Sequence, residues 1–336
     1  MIDYLIVGAG LFGATCARVL TDTGRSVVVI ERRGHIAGNC YDENWSGCYV
    51  NRYGGHIFHT SSKRIWEFVN RFAEFRQYEH RVKAQFQGKT YSFPPNLTTF
   101  DQIGMKPGPE AEQRIREMFF VGYTTKQWAR PLHKVSASVV GRIPIRYTYD
   151  DRYFSDRYQG LPEYGYTHMV EKMLAGIPVE LNTDFLSDVE YWRGKAAKVI
   201  YSGPLDALFG FEFGALGYRS LRFETEMLSV DNYQGCATLN YTDLHIPWTR
   251  VMEWKHFGWH SQPKGETIIT REYPAADGEP YYPIKDARNT ELYARYAERL
   301  SELPWLMVGG RLGSYRYYNM DQVIAQALAM ATSQYE

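Results

Sequence analysis

The chain lacks a net charge: among its 336 residues, 38 Lys and Arg balance 38 Asp and Glu. Without a basic excess there is no global field to hold a polyanion, which removes nucleic acid from the expected partners and leaves only a local basic pocket open. Cysteine is scarce. Cys16, Cys40, Cys48 and Cys236 show no C-x-x-C spacing, which argues against a zinc module and a disulfide scaffold and points to free thiols in a reducing compartment. No apolar run approaches the roughly 20 residues that cross a bilayer, so no membrane span is expected. The opening MIDYLIVGAG enters a strand directly, with no basic n-region, signal-type apolar run or cleavage site, and a cytoplasmic protein is expected. Repeats, low-complexity tracts and flexible linkers are missing too. For a chain of this length that predicts two or three interleaved domains rather than a series of separate ones.

What the chain has in excess is aromatic: 15% of residues, 27 of them Tyr. Tyrosine joins a flat apolar face to a hydroxyl tip, a combination that serves sugar and nucleotide sites as well as ordinary packing.

The densest local signal is at the start. Tyr4–Val7 is an apolar run of the kind a buried parallel strand needs. Gly8-Ala-Gly10-Leu11-Phe12-Gly13 follows, and an apolar-periodic helix runs from Gly13 to Gly24. Val27–Ile30 is a second apolar run, with Glu31 at its carboxyl edge. This is a βαβ unit carrying G-x-G-x-x-G in the required context. Gly8 permits the tight turn, Gly10 lets the backbone approach a pyrophosphate, and Gly13 lets helix and strand pack. The helix start offers amides and a positive dipole end to phosphates, and Glu31 can accept from both ribose hydroxyls. The motif alone leaves FAD and NAD open. Its position in the first ten residues, and the Glu31-Arg32-Arg33 run leading to a Gly34–Asn39 turn, favour FAD.

Further along, Ser61–Phe72 reads as a helix and Arg81–Phe93 as a hairpin turning at Gln87-Gly88. Glu110–Phe120 reads as helical, Arg142–Tyr153 as extended, and Tyr166–Leu174 as a short helix. Lys198–Tyr201 and Leu306–Val308 are strand candidates, and Asp321–Ala331 a closing helix. Between Tyr218 and Tyr273 polar and apolar residues alternate as in an antiparallel sheet.

Several segments resemble the UDP-galactopyranose mutase family: Tyr53-Gly-Gly-His-Ile-Phe-His-Thr60, Gly122-Tyr-Thr-Thr-Lys-Gln-Trp128, Arg142-Ile-Pro-Ile-Arg146, Tyr153-Phe-Ser-Asp-Arg-Tyr-Gln-Gly160, Tyr218-Arg-Ser-Leu221, Glu279-Pro-Tyr-Tyr-Pro283 and Gly309-Gly-Arg-Leu312. They occur in the family's order across nearly the whole chain. The resemblance implies an α/β fold in which a Rossmann-like FAD-binding domain (1–78 with 180–215 and 300–336) is interleaved with a shortened helical domain (96–145) and an antiparallel β-sheet, substrate-binding domain (79–95 with 146–179 and 216–299).

It also implies an isomerase that interconverts UDP-galactopyranose and UDP-galactofuranose. The N5 of reduced FAD attacks the anomeric carbon, UDP leaves and returns, and there is no net redox change. The same chemistry on another nucleotide sugar, such as a deoxythymidine-linked deoxysugar, is the near alternative, and an amine-oxidase-like oxidoreductase the distant one. By the resemblance, Arg142 and Arg250 grip the diphosphate with planar, permanently charged forks, and Tyr153, Tyr282 and Tyr317 bond its oxygens. Tyr123 and Trp128 line the nucleotide and sugar pocket, and Arg219 is a further active-site arginine. His59 lies beside the isoalloxazine, Arg311 near flavin and sugar, and Asn319 where the family carries Asp. His56, Asn39, Arg32 and Gly310, with Gly8, Gly10, Leu11, Phe12, Gly13 and Glu31, belong to the cofactor side. His56 and His59 form an H-x-x-H pair, but no further ligands stand at metal spacing.

Three departures from the family follow. The span from Phe100 to Gly122 is much shorter than in typical bacterial members, in the region that by the resemblance helps bind uridine and forms the dimer contact, which leaves a monomer or a different dimer open. Asn319 keeps hydrogen bonding but removes a charge and a proton acceptor. Ala37-Gly38 stands where Gly-Gly is common, an exchange of little cost if φ at Ala37 is negative.

Overall fold

A computed structural model of the chain describes residues 1–135, 143–259 and 264–334. The first apolar run becomes a strand, Ile2–Val7, flanked in parallel by Val27–Ile30 and Ala196–Tyr201. Val179–Glu180 and Leu306–Val308 complete a five-stranded, wholly parallel sheet at its two edges. Its strands are apolar on both faces because both are covered. The helix Leu11–Asp22 and the closing helix Met320–Thr332 pack together on one side, where Ala14, Ala17, Ile324 and Ala327 are fully buried. Phe185, Leu306 and Ala196 fill the other side. Strands join Ile2–Val7 from both directions, so the crevice outside its carboxyl end is the switch point where this class of sheet binds ligands.

A second sheet has seven strands in the order Tyr282–Pro283, Tyr218–Leu228, Thr267–Ala275, Arg250–Glu253, Thr238–Tyr241, Val82–Phe86 and Lys89–Phe93. All its pairings are antiparallel except one: Thr238–Tyr241 runs parallel to Val82–Phe86. No hairpin joins those two strands, so nothing local imposes an antiparallel pairing. The Val82–Phe93 hairpin turns at Gln87 (φ 48°) and Gly88 (φ 75°), the two positive φ values of a type I′ turn. Short helices, Leu97–Ile103 and Pro109–Arg116, lie on this hairpin, and Gly122–Trp128 lies against Thr267–Ala275. Phe100, Ile115, Met118 and Phe119 bury themselves against Val82, Ala84 and Phe93.

Three stretches differ from the reading of the sequence. The Gly-rich segment after Gly34 contains a small hairpin, Asp42–Trp45 with Cys48–Asn51. Residues 143–153 form bends rather than a strand, with a single bridge from Arg152 to Arg81. The stretch 146–179, expected with the large sheet, goes largely to the nucleotide-binding side. Tyr158–Pro162 pairs with Phe58–Thr60 and Phe75–Gln77, and Val179–Glu180 extends the parallel sheet. Between them the helix Gly165–Met173 buries Tyr166, Met169, Val170 and Met173 in the core shared with Leu11–Asp22. Those four are one helical face, and burying that face decides where the segment docks.

Candidate active site

At the switch point the G-x-G-x-x-G segment is shaped by contact. Gly8 has φ +104°, and a Cβ there would lie 2.2 Å from Ser202 Oγ; one on Gly13 would lie 1.9 Å from the Gly8 carbonyl. A Cβ on Gly309 would collide with the Phe12 ring at 2.1 Å. The buried Leu11 and Phe12 side chains are therefore packing elements. What they can offer a ligand is backbone: the first bond of the helix runs from Ala14 N to Gly10 O at 2.9 Å, so the amides of Leu11, Phe12 and Gly13 precede its ladder.

Glu31 is 8% exposed and accepts the Ala9 amide on one carboxylate oxygen and the Arg33 amide on the other, both at 2.8 Å. Each oxygen keeps a lone pair for a further donor. A glycine-lined turn, a helix start and an acceptor-only carboxylate at the end of the second strand fit the pyrophosphate and ribose of a dinucleotide. Arg32 lies outside this pocket. Its guanidinium reaches Glu279 at 2.7 Å on the surface, and Arg33 joins Asn39 at 2.9 Å. Ala37 has φ +68°, so the condition under which its exchange for glycine is cheap does not hold.

A cavity of ≈ 500 Å³, bordered by Asn39 and Arg311, lies within the range of small-molecule sites. Asn39, His56, His59, Tyr123, Trp128, Tyr153, Arg250, Tyr282, Arg311, Tyr317 and Asn319 all border it. Eleven residues expected from scattered motifs therefore share one wall. Arg250 NH2 donates to the Tyr123 hydroxyl at 2.6 Å, and its Nε lies 3.4 Å from Glu272 Oε1. Burial opposes the Arg250 charge, but Glu272 and Tyr123 outweigh it and hold the guanidinium protonated. Burial pushes the Tyr123 hydroxyl up to about 12, so it stays neutral. Tyr282 and Tyr317 stack at 4.8 Å and 9°, and Arg311 anchors itself on the Tyr318 carbonyl at 2.8 and 3.2 Å. Asn319 is the N-cap of Met320–Thr332, with Gln322 accepting its amide at 2.9 Å.

One expected residue of the substrate site stands behind the cavity, and another is not described. Arg219 is buried behind the wall, where its Nε donates to the carbonyl of the lining residue Gln127 at 2.9 Å. Arg142 lies outside the described residues. Conversely, Glu272, His80, Asn240 and Phe154 border the cavity and were not singled out from the sequence. Alternation in the Thr267–Ala275 strand does flag Glu272, an acidic residue on a buried face.

Fold and cavity define a dinucleotide-binding enzyme with an arginine- and tyrosine-lined site for an anionic substrate. The family model for UDP-galactopyranose mutase matches residues 118–317, and that for an NAD(P)-binding Rossmann-like domain matches residues 6–72. A Klebsiella pneumoniae protein named "Probable UDP-galactopyranose mutase" is 39% identical over 98% of this chain and 94% of its own. The dTDP-fucopyranose mutase of Escherichia coli is 35% identical over 98% of each. A crystal structure of reduced UDP-galactopyranose mutase superposes with a TM-score of 0.79, covering 99% of this chain and 94% of that one at 14% identity, and so shares the fold. The chain belongs to the UDP-galactopyranose mutase family.

Proposed function

We propose that the chain is a flavin-dependent mutase interconverting UDP-galactopyranose and UDP-galactofuranose, with FAD active in its reduced form. The observation that carries this reading is the trio of Arg250, Tyr123 and the buried Glu272 on the wall of the cavity. FAD, when bound, supplies an electron-rich ring as nucleophile for the anomeric carbon. The rest is the chain's own work. The Gly8–Gly13 turn and the amides after it hold the cofactor's pyrophosphate, Glu31 its ribose, and Asn39, His56 and Gly310 border its path. Arg250 faces the substrate's diphosphate, whose charge grows as it departs, so a fixed cation there stabilises the transition state more than the ground state. Arg142 shares this task. The hydroxyls of Tyr153, Tyr282 and Tyr317 donate to the same oxygens, Trp128 walls the sugar, and Arg311 adds positive charge at the flavin end.

A second reading keeps the chemistry and changes the sugar to a deoxythymidine-linked deoxyhexose. It is favoured by the near full-length match to the dTDP-fucopyranose mutase and by Asn319. The test is turnover of UDP-galactofuranose and dTDP-fucopyranose by the dithionite-reduced holoenzyme, with the flavin spectrum followed throughout. Conversion of one of them with the flavin still reduced is expected. Net substrate oxidation, or no isomerisation of either, would overturn the proposal.

A further inference from the structure

Three histidines border the cavity, and they are held differently. His56 donates from Nδ1 to the Gly54 carbonyl at 2.7 Å; burial and the charge of Arg311 pull it down to about 4. His80 meets the Tyr78 hydroxyl at 3.3 Å between the rings of Phe154 and Phe257. Burial, Arg250 and His59 pull it down to about 3. His59 is the one that faces a carboxylate. Its Nδ1 lies 2.6 Å from Asp156 Oδ2, and its ring stacks on Phe154 at 3.7 Å and 13°.

Asp156 is itself fixed. Ser61 Oγ donates to its other oxygen at 2.5 Å, and Gln159 Nε2 holds its carbonyl at 2.9 Å. Burial opposes its ionisation, but the Ser61 and His59 donors outweigh that and hold the carboxyl below the usual range. Its far side borders a second cavity of ≈ 310 Å³ that also contains Glu79, Arg152 and Arg157. Arg152 is committed there to Asp150 at 2.9 Å and Glu79 at 3.6 Å.

An ionised carboxylate only accepts hydrogen bonds, so Nδ1 of His59 must carry a proton, and in the singly protonated ring Nε2 then keeps a lone pair. Nε2 has no hydrogen-bond partner among the described residues, and the ring borders the cavity. We infer that Asp156 is a positioning residue that fixes His59 in the Nδ1–H tautomer, presenting Nε2 as an acceptor to an O–H or N–H donor of the molecule bound in the cavity. The proposed mutase reading enters only in what supplies that donor, a sugar hydroxyl or the edge of the flavin. A pyranose–furanose exchange needs such an acceptor. One sugar oxygen leaves C1 and gains a proton, another loses a proton and closes on C1, and a lone pair that takes and returns one proton balances the two.

The test reads the tautomer directly. Holoenzyme labelled with 15N-histidine, without nucleotide sugar and above the ordinary histidine titration range, is examined by NMR, the His59 signals being identified by their loss in His59→Gln. The wild type is expected to show a protonated Nδ1 and a bare Nε2. In Asp156→Asn, Ser61 Oγ retains the amide oxygen, the NH2 turns toward Nδ1, and the tautomer switches. Turnover is expected to fall by at least about tenfold with KM and bound FAD nearly unchanged. A protonated Nε2 in the wild type, which needs no variant to observe, would overturn the inference. So would lost turnover in Asp156→Asn with the tautomer unchanged, the mark of a merely structural role. A wild type that isomerises no nucleotide sugar would sink the mutase reading and leave the tautomer result standing.

Discussion

Among single residues, Arg250 and Glu272 carry the clearest consequence. Glu272 is 2% exposed, and its facing cation is Arg250. Removing the arginine leaves a buried carboxylate without its cation, which costs on the order of 2 kcal/mol. Arg250→Ala should therefore lose both stability and at least about a hundredfold in turnover while still binding FAD. Adding Glu272→Gln should recover the urea midpoint but not the turnover. Recovery of both, or near-normal turnover in the single variant, would remove Arg250 from the diphosphate. Ala37 offers a cleaner stability test. Its amide donates to the Ala9 carbonyl at 2.9 Å from a left-handed conformation, which costs an alanine about 1 kcal/mol relative to glycine. Ala37→Gly should raise the unfolding free energy of the apoprotein, measured by urea titration, by about that amount, and a lowered urea midpoint would show that the buried methyl outweighs the strain.

Among elements, the helix Met320–Thr332 brings a structural and a chemical role onto one residue. Asn319 caps it, and Asn and Asp cap equally well, so Asn319→Asp should change the unfolding free energy by no more than about 0.5 kcal/mol. The same change places a negative charge on the cavity wall that Arg311 shares. It should alter the preference between UDP-galactose and a dTDP-linked sugar by about tenfold, the factor that ~1.4 kcal/mol gives. An unchanged ratio of kcat/KM for the two substrates would mean that the residue is only a cap. Elements also show what a sequence makes legible. The strand–helix–strand start could be read because contacts within about 25 residues already require its glycines and its acid: Gly8 against Gly13, Glu31 against Ala9. The sheet of Phe58–Thr60, Tyr158–Pro162 and Phe75–Gln77 could not, since its strands are short and their partners distant in the chain. Asp156 escaped for the same reason. Nothing near it in sequence announces His59, 97 residues away. Arg219 shows the converse, an active-site motif residue whose side chain supports the wall from behind.

For the whole molecule, the two sheets share one core. Met252, Trp254 and Phe257 of the large sheet's segment pack in the same cluster as Ile6, Phe58 and Met169 of the nucleotide-binding side. His56 and His80 lie near this junction, and both are depressed from the ordinary 6.5, to about 4 and about 3. The unfolded chain therefore binds protons at these two sites between about pH 6.5 and 4 while the folded chain does not. Folding stability must fall as pH falls through that window. The carboxylates held low, Asp156 among them, lose their contribution only further down. Urea midpoints should accordingly decline from pH 7 to 5, before carboxylate protonation matters. A His56→Gln, His80→Gln variant should show a flatter decline over the same interval. A midpoint that stays level from pH 7 to 5 in the wild type would mean that the rings accept protons in the folded state, and that the cavity is wetter than its burial of these histidines requires.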